Sequence, residues 1–179
     1  MSIYYPGCTT TQADPVCTDC PTKELGDIRS FFFVKSDFTF TDITATAEWT
    51  TGLNAKDIYV FPYARGTMEM AENLQPGFGD TVEELDGFEF TASVFEPNYK
   101  ANCDFWNDIK RSKEWKFGYR TETQVHLSDS IATIIPKAPI SDDKKKSVIW
   151  NATVKFTQED IPCPSDKPSG VFDVCIGIS

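Results

Sequence analysis

Four of the six cysteines have a spacing that could hold a metal ion. Cys17 and Cys20 are separated by two residues, as in a zinc knuckle, and Cys8 lies upstream of them. Cys163, near the other end of the chain, would add a fourth thiolate if the two termini meet in space. Four thiolates in a tetrahedron bind Zn²⁺ structurally and leave no position for catalysis. Three states stay open for these cysteines: a structural zinc site, a disulfide between the terminal segments, or small apolar side chains without a ligand.

Candidate catalytic residues are few. The chain has a single histidine, His126, which cannot by itself form a two-histidine metal site. It also has no Gly-Xaa-Ser-Xaa-Gly elbow and no phosphate-binding glycine loop. A Cys–His nucleophile pair is the one enzymatic arrangement left open. The acidic stretches 80–86 and 142–143 lack the ligand spacing of a calcium-binding loop, so we expect them to be solvated loops. We therefore predict a protein that is not an enzyme and that needs no cofactor beyond the zinc considered above.

The charge balance limits the partners that this chain can have. Its 179 residues carry a formal net charge of −10. Nucleic-acid binding needs clustered Lys and Arg, so the balance argues against a DNA-binding protein, although DNA could slide past such a surface without adhering. The N-terminus lacks the features of a signal peptide, and no apolar run approaches the ~20 residues of a membrane span. We expect a soluble protein that is synthesised in a host cytoplasm and has no membrane partner.

The chain divides into three zones of different composition. Residues 1–26 are rich in Thr, Pro, Gly, Asp and Cys without periodicity, which predicts an extended N-terminal arm. Residues 27–160 carry β-branched and aromatic runs of strand length and form the predicted domain. Residues 161–179 are Pro-rich and end in a strand-like stretch at 171–176.

Within the domain, strands alternate with turn signals. Strict alternation of apolar and polar residues over 115–127 predicts one long strand with one wet face, and a similar pattern predicts another over 147–157. On the strand that follows Gly87, one face should carry Phe88, Phe90, Ala92 and Val94.

One helix is predicted near 98–111, where Tyr99, Cys103, Trp106 and Ile109 form an apolar stripe. Residues 41–54 are predicted to be a loop. Seven to nine strands with one helix indicate a mainly β domain, an antiparallel β-sandwich or barrel with one packed α-helix.

This layout resembles the tail-tube family of bacteriophage proteins over residues 87–158. The Phe-rich strands and the segments 66–70 and 124–127 also resemble small virion proteins of crAss-like phages. The resemblance implies a subunit of a stacked ring in a short tail or neck, with DNA passing through the channel. It also implies that long hairpins line the lumen and that arms clasp adjacent rings.

We therefore expect a structural virion component that forms or clamps a ring of roughly six or twelve copies, next to neighbouring ring, portal or capsid proteins. The side chains predicted to contact neighbouring subunits are Trp115, Phe117, Tyr119, Arg120, Glu122, Gln124, Trp150 and Lys155. Two alternatives stay open. One is an auxiliary capsid protein that decorates the shell, and the other is a carbohydrate-binding β-sandwich that uses Trp49, Tyr59 or Tyr63 as stacking platforms.

Overall fold

A computed structural model describes residues 26–76, 84–143 and 145–173 of the chain. This part is mainly β and contains nine strands and two helices. The elements are β1 (Ser30–Lys35), α1 (Thr46–Ala55), β2 (Ile58–Phe61), β3 (Arg65–Gln75), β4 (Glu84–Glu96), α2 (Cys103–Ile109), β5 (Trp115–Arg120), β6 (Gln124–Ile131), β7 (Thr133–Lys137), β8 (Trp150–Gln158) and β9 (Ser165–Asp166).

The strands form two antiparallel sheets, as expected for a β-sandwich. Sheet 1 has the strand order β2-β1-β5-β6-β9, and sheet 2 has the order β3-β4-β8-β7. The chain crosses from sheet 1 to sheet 2 at Ala132, which is buried between the end of β6 and the start of β7. The predicted sandwich with antiparallel sheets is confirmed.

The core between the two sheets is rich in aromatic side chains. Phe31 and Phe33 project into it from β1, and Trp106 of α2 contacts both rings at centroid distances of 6.2 Å. Phe90 of β4 stacks on Phe156 of β8 at 4.8 Å. Burial of this apolar surface is the main force that holds the two sheets together.

A second core covers the other face of sheet 1. Phe32 of β1 points away from sheet 2 and meets Trp49 of α1 at 4.8 Å and Phe172 at 5.8 Å. Leu53 of α1 packs in the same cluster as Val34 of β1. The three consecutive phenylalanines 31–33 are therefore all buried, because sheet 1 is covered on both faces.

The prediction of a loop at 41–54 is wrong, because α1 occupies Thr46–Ala55. Only Trp49, Gly52 and Leu53 of this helix are buried, so the sequence has no long apolar stripe that would predict a helix. Contacts to the rest of the fold and at the two ends of the helix stabilise it instead. The Trp49 indole donates to the Ile43 carbonyl oxygen at 2.7 Å, and Lys56 ends the helix in the left-handed region with φ of 62°.

The prediction of one long strand at 115–127 is also wrong, since β5 and β6 form a hairpin. Tyr119 pairs with His126, and Arg120 pairs with Val125. Apolar residues stay at odd-numbered positions on both sides of the turn, but after the turn these positions face the opposite side of sheet 1. Phe117 therefore lies in the core between the sheets, whereas Val125 lies in the second core. Period two alone cannot distinguish a wet face from a second buried face.

The remaining predictions need smaller corrections. The helix predicted at 98–111 is shorter, since α2 is Cys103–Ile109, and Trp106 and Ile109 of its predicted stripe are buried. The strand predicted at 147–157 is β8, which begins at Trp150. At the predicted C-terminal strand, Val171 and Phe172 form bends and are buried in the second core. Residues 174–179 and the predicted arm up to residue 25 lie outside the described part.

Candidate assembly surface

Sheet 2 has an outward face on which hydroxyl and amide side chains are mixed with charged ones and with the partly exposed apolar side chains of Phe95 and Ile135. The outward positions of its strands are exposed or half-buried, in contrast to sheet 1, which α1 covers. These outward side chains include Thr67 of β3, Thr91 and Ser93 of β4, Asn151, Thr153 and Thr157 of β8, and Thr133 of β7. Lys155 of β8 lies among them, with its amine 3.6 Å from a Glu89 carboxylate oxygen. Such a largely polar face can contact another macromolecule without a large apolar patch.

The strand β3 forms one edge of sheet 2 and has eleven residues without proline. One of its sides pairs with β4. On the other side, Ile28 exchanges two backbone hydrogen bonds with Gly66, at 3.3 and 3.2 Å. Because hydrogen-bonding direction alternates along an antiparallel strand, the backbone groups of Met68 and Met70 point away from β4 as those of Gly66 do. This edge can therefore accept a further strand beyond Ile28.

The other sheet edges offer shorter or interrupted runs of backbone groups. The opposite edge of sheet 2, β7, contains Pro136, and proline cannot donate to a strand ladder. In sheet 1, β9 has only two residues, and β2 has four and is followed by Pro62. In the part of the chain that the structure describes, β3 is thus the longest edge without these blocking features.

The β3–β4 hairpin extends beyond the rest of sheet 2. Its pairing continues to Gln75 and Glu84, whereas β8 stops pairing with β4 at Phe88. Gly87 stands at this departure point with φ of +104°, and a Cβ there would lie 2.7 Å from the Gln158 carbonyl oxygen. Glycine is therefore required for the hairpin to leave the sheet in this direction. Leu74 and Leu85 are about half exposed on the projection, and Met70 is about half exposed just before it.

The predicted contact residues on β5 are largely used inside the subunit. Phe117 is 1% exposed and contacts Phe31 and Phe33, so its assignment as a contact to a neighbour is corrected. Trp115 is half-buried against the same core. Tyr119 stacks on His126 at 4.6 Å, and burial raises the pKa of its phenol.

The predicted residues near the β5–β6 turn also bind within the subunit. Arg120 donates from Nε to the Ser30 hydroxyl at 2.9 Å, and its guanidinium lies 5.6 Å from the centre of the Phe172 ring. Burial lowers the pKa of Arg120, Asp173 opposes that shift, and Arg29 adds to it. Glu122 accepts from Arg29 at 3.3 Å. Gln124 pairs with Asp166 of β9.

The two predicted contact residues on β8 differ in exposure: one is buried in the core and the other lies on the outward face of sheet 2. Trp150 is 7% exposed and donates its indole N–H to the Tyr99 carbonyl oxygen at 2.9 Å, so it is a core residue rather than a contact to a neighbour. Lys155 does lie on a polar strand face, as predicted, and that face is the outward face of sheet 2. Of the predicted set, Lys155 is thus the residue that the fold places on the candidate assembly surface.

The predicted stacking platforms of a carbohydrate-binding protein differ in exposure. Trp49 is fully buried in the second core, which corrects its assignment as a platform. Tyr59 is half-buried and contacts Phe105 and Trp115 at 5.1 Å. Tyr63 is exposed. A ring must be exposed to stack on a sugar, so Trp49 cannot serve as a platform, whereas the exposed Tyr63 ring still can.

The zinc hypothesis falls mostly outside the described residues. Cys8, Cys17 and Cys20 lie there, and Cys163 is an exposed free thiol. Over 26–76, 84–143 and 145–173, no three His, Cys, Asp or Glu side chains come together as metal donors. His126 places Nδ1 3.2 Å from the Pro162 carbonyl oxygen.

Neither helix in this part of the chain is long and apolar enough to span a membrane.

Sequence reasoning missed the β3 edge, although one signal for it was present. Residues 65–75 contain no proline and, after Gly66, no glycine, but most of them are exposed on both faces of the strand. Alternation, the usual indicator of a strand, is therefore weak there.

A scan against protein-family models, a search of curated proteins and a search of solved structures each returned no match.

Proposed function

We propose that this protein is a structural subunit of a phage virion, which joins its neighbours by strand addition at β3 and forms a ring in a tail or neck. The open β3 edge is the observation that carries this proposal. Its backbone donors and acceptors beyond Gly66 point away from β4, over a stretch with no proline. A long open edge is a template for pairing with another chain, and native proteins otherwise block such edges.

Ring closure accounts for both the edge and the hairpin. In a ring, one surface of each copy binds a different surface of the next, so every β3 edge is covered and no edge stays free. The β3–β4 hairpin projects past the sandwich with Leu74 and Leu85 about half exposed. Burial of these side chains against the next copy would add apolar contact to the backbone hydrogen bonds.

The outward face of sheet 2 suits a channel through which DNA passes. Its hydroxyl and amide side chains are uncharged, and its basic residues Arg65, Lys137 and Lys155 are offset by Glu69 and Glu89. Tight DNA binding requires several unopposed cations along the phosphate backbone. A nearly neutral face within a chain of net charge −10 would hold DNA only weakly.

Native mass spectrometry of the full chain tests the proposal with a matched pair of variants. We expect the unaltered protein to form a discrete species of roughly six or twelve copies as its concentration rises. Met70→Pro removes one outward N–H from β3 and should abolish that species, because the edge can no longer donate there. Met70→Ala keeps the N–H and should retain it.

Two results would count against ring formation through β3. A strict monomer at every concentration would favour a decorating role on a capsid instead. A ring that persists in Met70→Pro, with circular dichroism unchanged, would move the contact to another surface.

A further inference from the structure

A cleft of about 330 Å³ runs along the free edge of β2, on the far side of sheet 1 from β9. Leu53 and Val171 line one side of it, and Phe105 and Asn102 line the other. The strand itself contributes Tyr59 and Phe61, whose rings contact Phe105 at 5.1 and 5.2 Å. The cleft is therefore an apolar and aromatic groove with a strand edge along its length.

The backbone of β2 offers hydrogen-bonding groups to this groove. Lys35 donates to the Asp57 carbonyl oxygen at 2.8 Å, which fixes the alternation of the β1–β2 pair. Tyr59 and Phe61 then bond towards β1, and the N–H and C=O groups of Ile58 and Val60 point away from it, into the cleft. An extended segment could add to β2 through these groups, as in recognition by strand addition.

A buried carboxylate also lines the cleft. Glu96 is 2% exposed and accepts from the Asn98 backbone N–H at 2.7 Å and from the Trp106 indole N–H at 3.4 Å. A carboxylate has about four acceptor positions, so two neutral donors leave capacity unused. Within the described ranges, no Lys, Arg or His nitrogen lies within 4.0 Å of it. A buried carboxylate without a cation is energetically costly, and a cationic ligand would relieve that cost.

We propose that this cleft binds an extended protein segment that pairs with β2 and inserts an arginine side chain towards Glu96. A guanidinium fits both features of the site, because it stacks on aromatic rings and donates in a fork to a carboxylate. Phe61 and Phe105 supply the rings, and Ile58 and Val60 supply the main-chain pairing. The strand β2 belongs to sheet 1 and β3 to sheet 2, and the two edges offer different backbone groups, so peptide binding at β2 does not depend on ring formation through β3.

The probe is a blocked pentapeptide, acetyl-Thr-Val-Arg-Val-Thr-amide, with a second peptide that has citrulline in place of arginine. Citrulline keeps the shape of the side chain and removes its charge. We expect the full-length protein to bind the arginine peptide about tenfold or more tightly than the citrulline peptide in isothermal titration calorimetry. In ¹⁵N spectra, the amide signals of Ile58 and Val60 should shift on binding.

Three variants separate the two parts of the site. Glu96→Gln should reduce affinity for the arginine peptide about tenfold and leave the citrulline peptide nearly unaffected. Glu72→Gln, which alters an exposed carboxylate on β3, is the matched control and should bind both peptides normally. Val60→Pro removes an outward N–H and should weaken both peptides.

Equal affinity of the unaltered protein for the two peptides would overturn the proposal, as would no binding of the arginine peptide at millimolar concentration. Normal binding by a folded Glu96→Gln protein would exclude the carboxylate as the anchor. If Glu96→Gln fails to fold, the proposal is still tested by the comparison of the two peptides on the unaltered protein and by the Val60→Pro variant. Because Met70→Pro leaves the cleft intact, failure of ring formation and failure of peptide binding can be told apart.

Discussion

At the residue scale, Gly118 shows how the second core depends on one missing side chain. Gly118 of β5 is buried opposite Phe32 of β1, and a Cβ at this position would overlap the Phe32 ring. That ring is fully buried against Trp49 and Phe172, so it has no free space into which to move. The glycine is thus needed for close packing rather than for an unusual backbone angle.

Gly118→Ala should therefore lower the free energy of unfolding by about 1–3 kcal/mol, because it overpacks the second core. Urea denaturation followed by tryptophan fluorescence measures the change. Gly26→Ala is the matched control and should be nearly neutral, since nothing lies within 4 Å of a Cβ there. An unchanged midpoint for Gly118→Ala would mean that Phe32 can shift.

At the element scale, α1 makes sheet 1 the middle layer of the molecule. The helix packs through Trp49 and Leu53, and Thr46 also donates to the Ser169 carbonyl oxygen at 3.1 Å. Its N-terminal approach is fixed by Glu48, whose carboxylate accepts from the backbone N–H groups of Thr41 and Asp42 at 2.7 and 3.1 Å. The helix and the segment near Phe172 thus cover the same face together.

Trp49→Ala should lower the free energy of unfolding by about 3–5 kcal/mol, the usual cost of truncating a fully buried aromatic residue. Thermal unfolding by circular dichroism would show it as a reduced Tm. Tyr63→Ala removes an exposed aromatic ring and should change Tm little. A small effect of Trp49→Ala would indicate that α1 contributes little to the stability of sheet 1.

At the scale of the whole molecule, the net charge of −10 opposes association of identical copies. Close approach of like-charged subunits costs electrostatic free energy, and that cost falls when salt shortens the screening length. The proposed strand addition at β3 would depend on backbone hydrogen bonds and apolar contacts, which salt screens far less.

The proposed ring should therefore become more populated as NaCl is raised from about 0.02 M to about 0.5 M at fixed protein concentration, because screening weakens the repulsion. Sedimentation velocity measures the distribution of species. Met70→Pro serves as the control and should sediment as a monomer at both salt concentrations. A ring that dissociates as salt rises would instead indicate that subunits attract one another through opposite charges.

The sequence by itself determined the fold class and the inner face of β4, one of the two central strands of sheet 2. Of the predicted face of β4, Phe90, Ala92 and Val94 are buried and Phe88 is partly buried against the same core, because a strand with one core-facing side imposes period two. Trp106 was also recognisable as a helix residue facing the core. These features are local, so the pattern of neighbouring residues carries them.

Only the tertiary structure decided which faces are covered and which edge stays open. Phe32 and Val125 are buried because α1 and the segment near Phe172 pack on them, and nothing in a short window of sequence specifies that distant cover. The turn between β5 and β6 likewise sends Phe117 and Val125 to different cores although both fit one alternating pattern. The β3 edge and the cleft beside β2 follow from strand order, which non-local pairing sets, and strand order is a property of the assembled sheets rather than of any one segment.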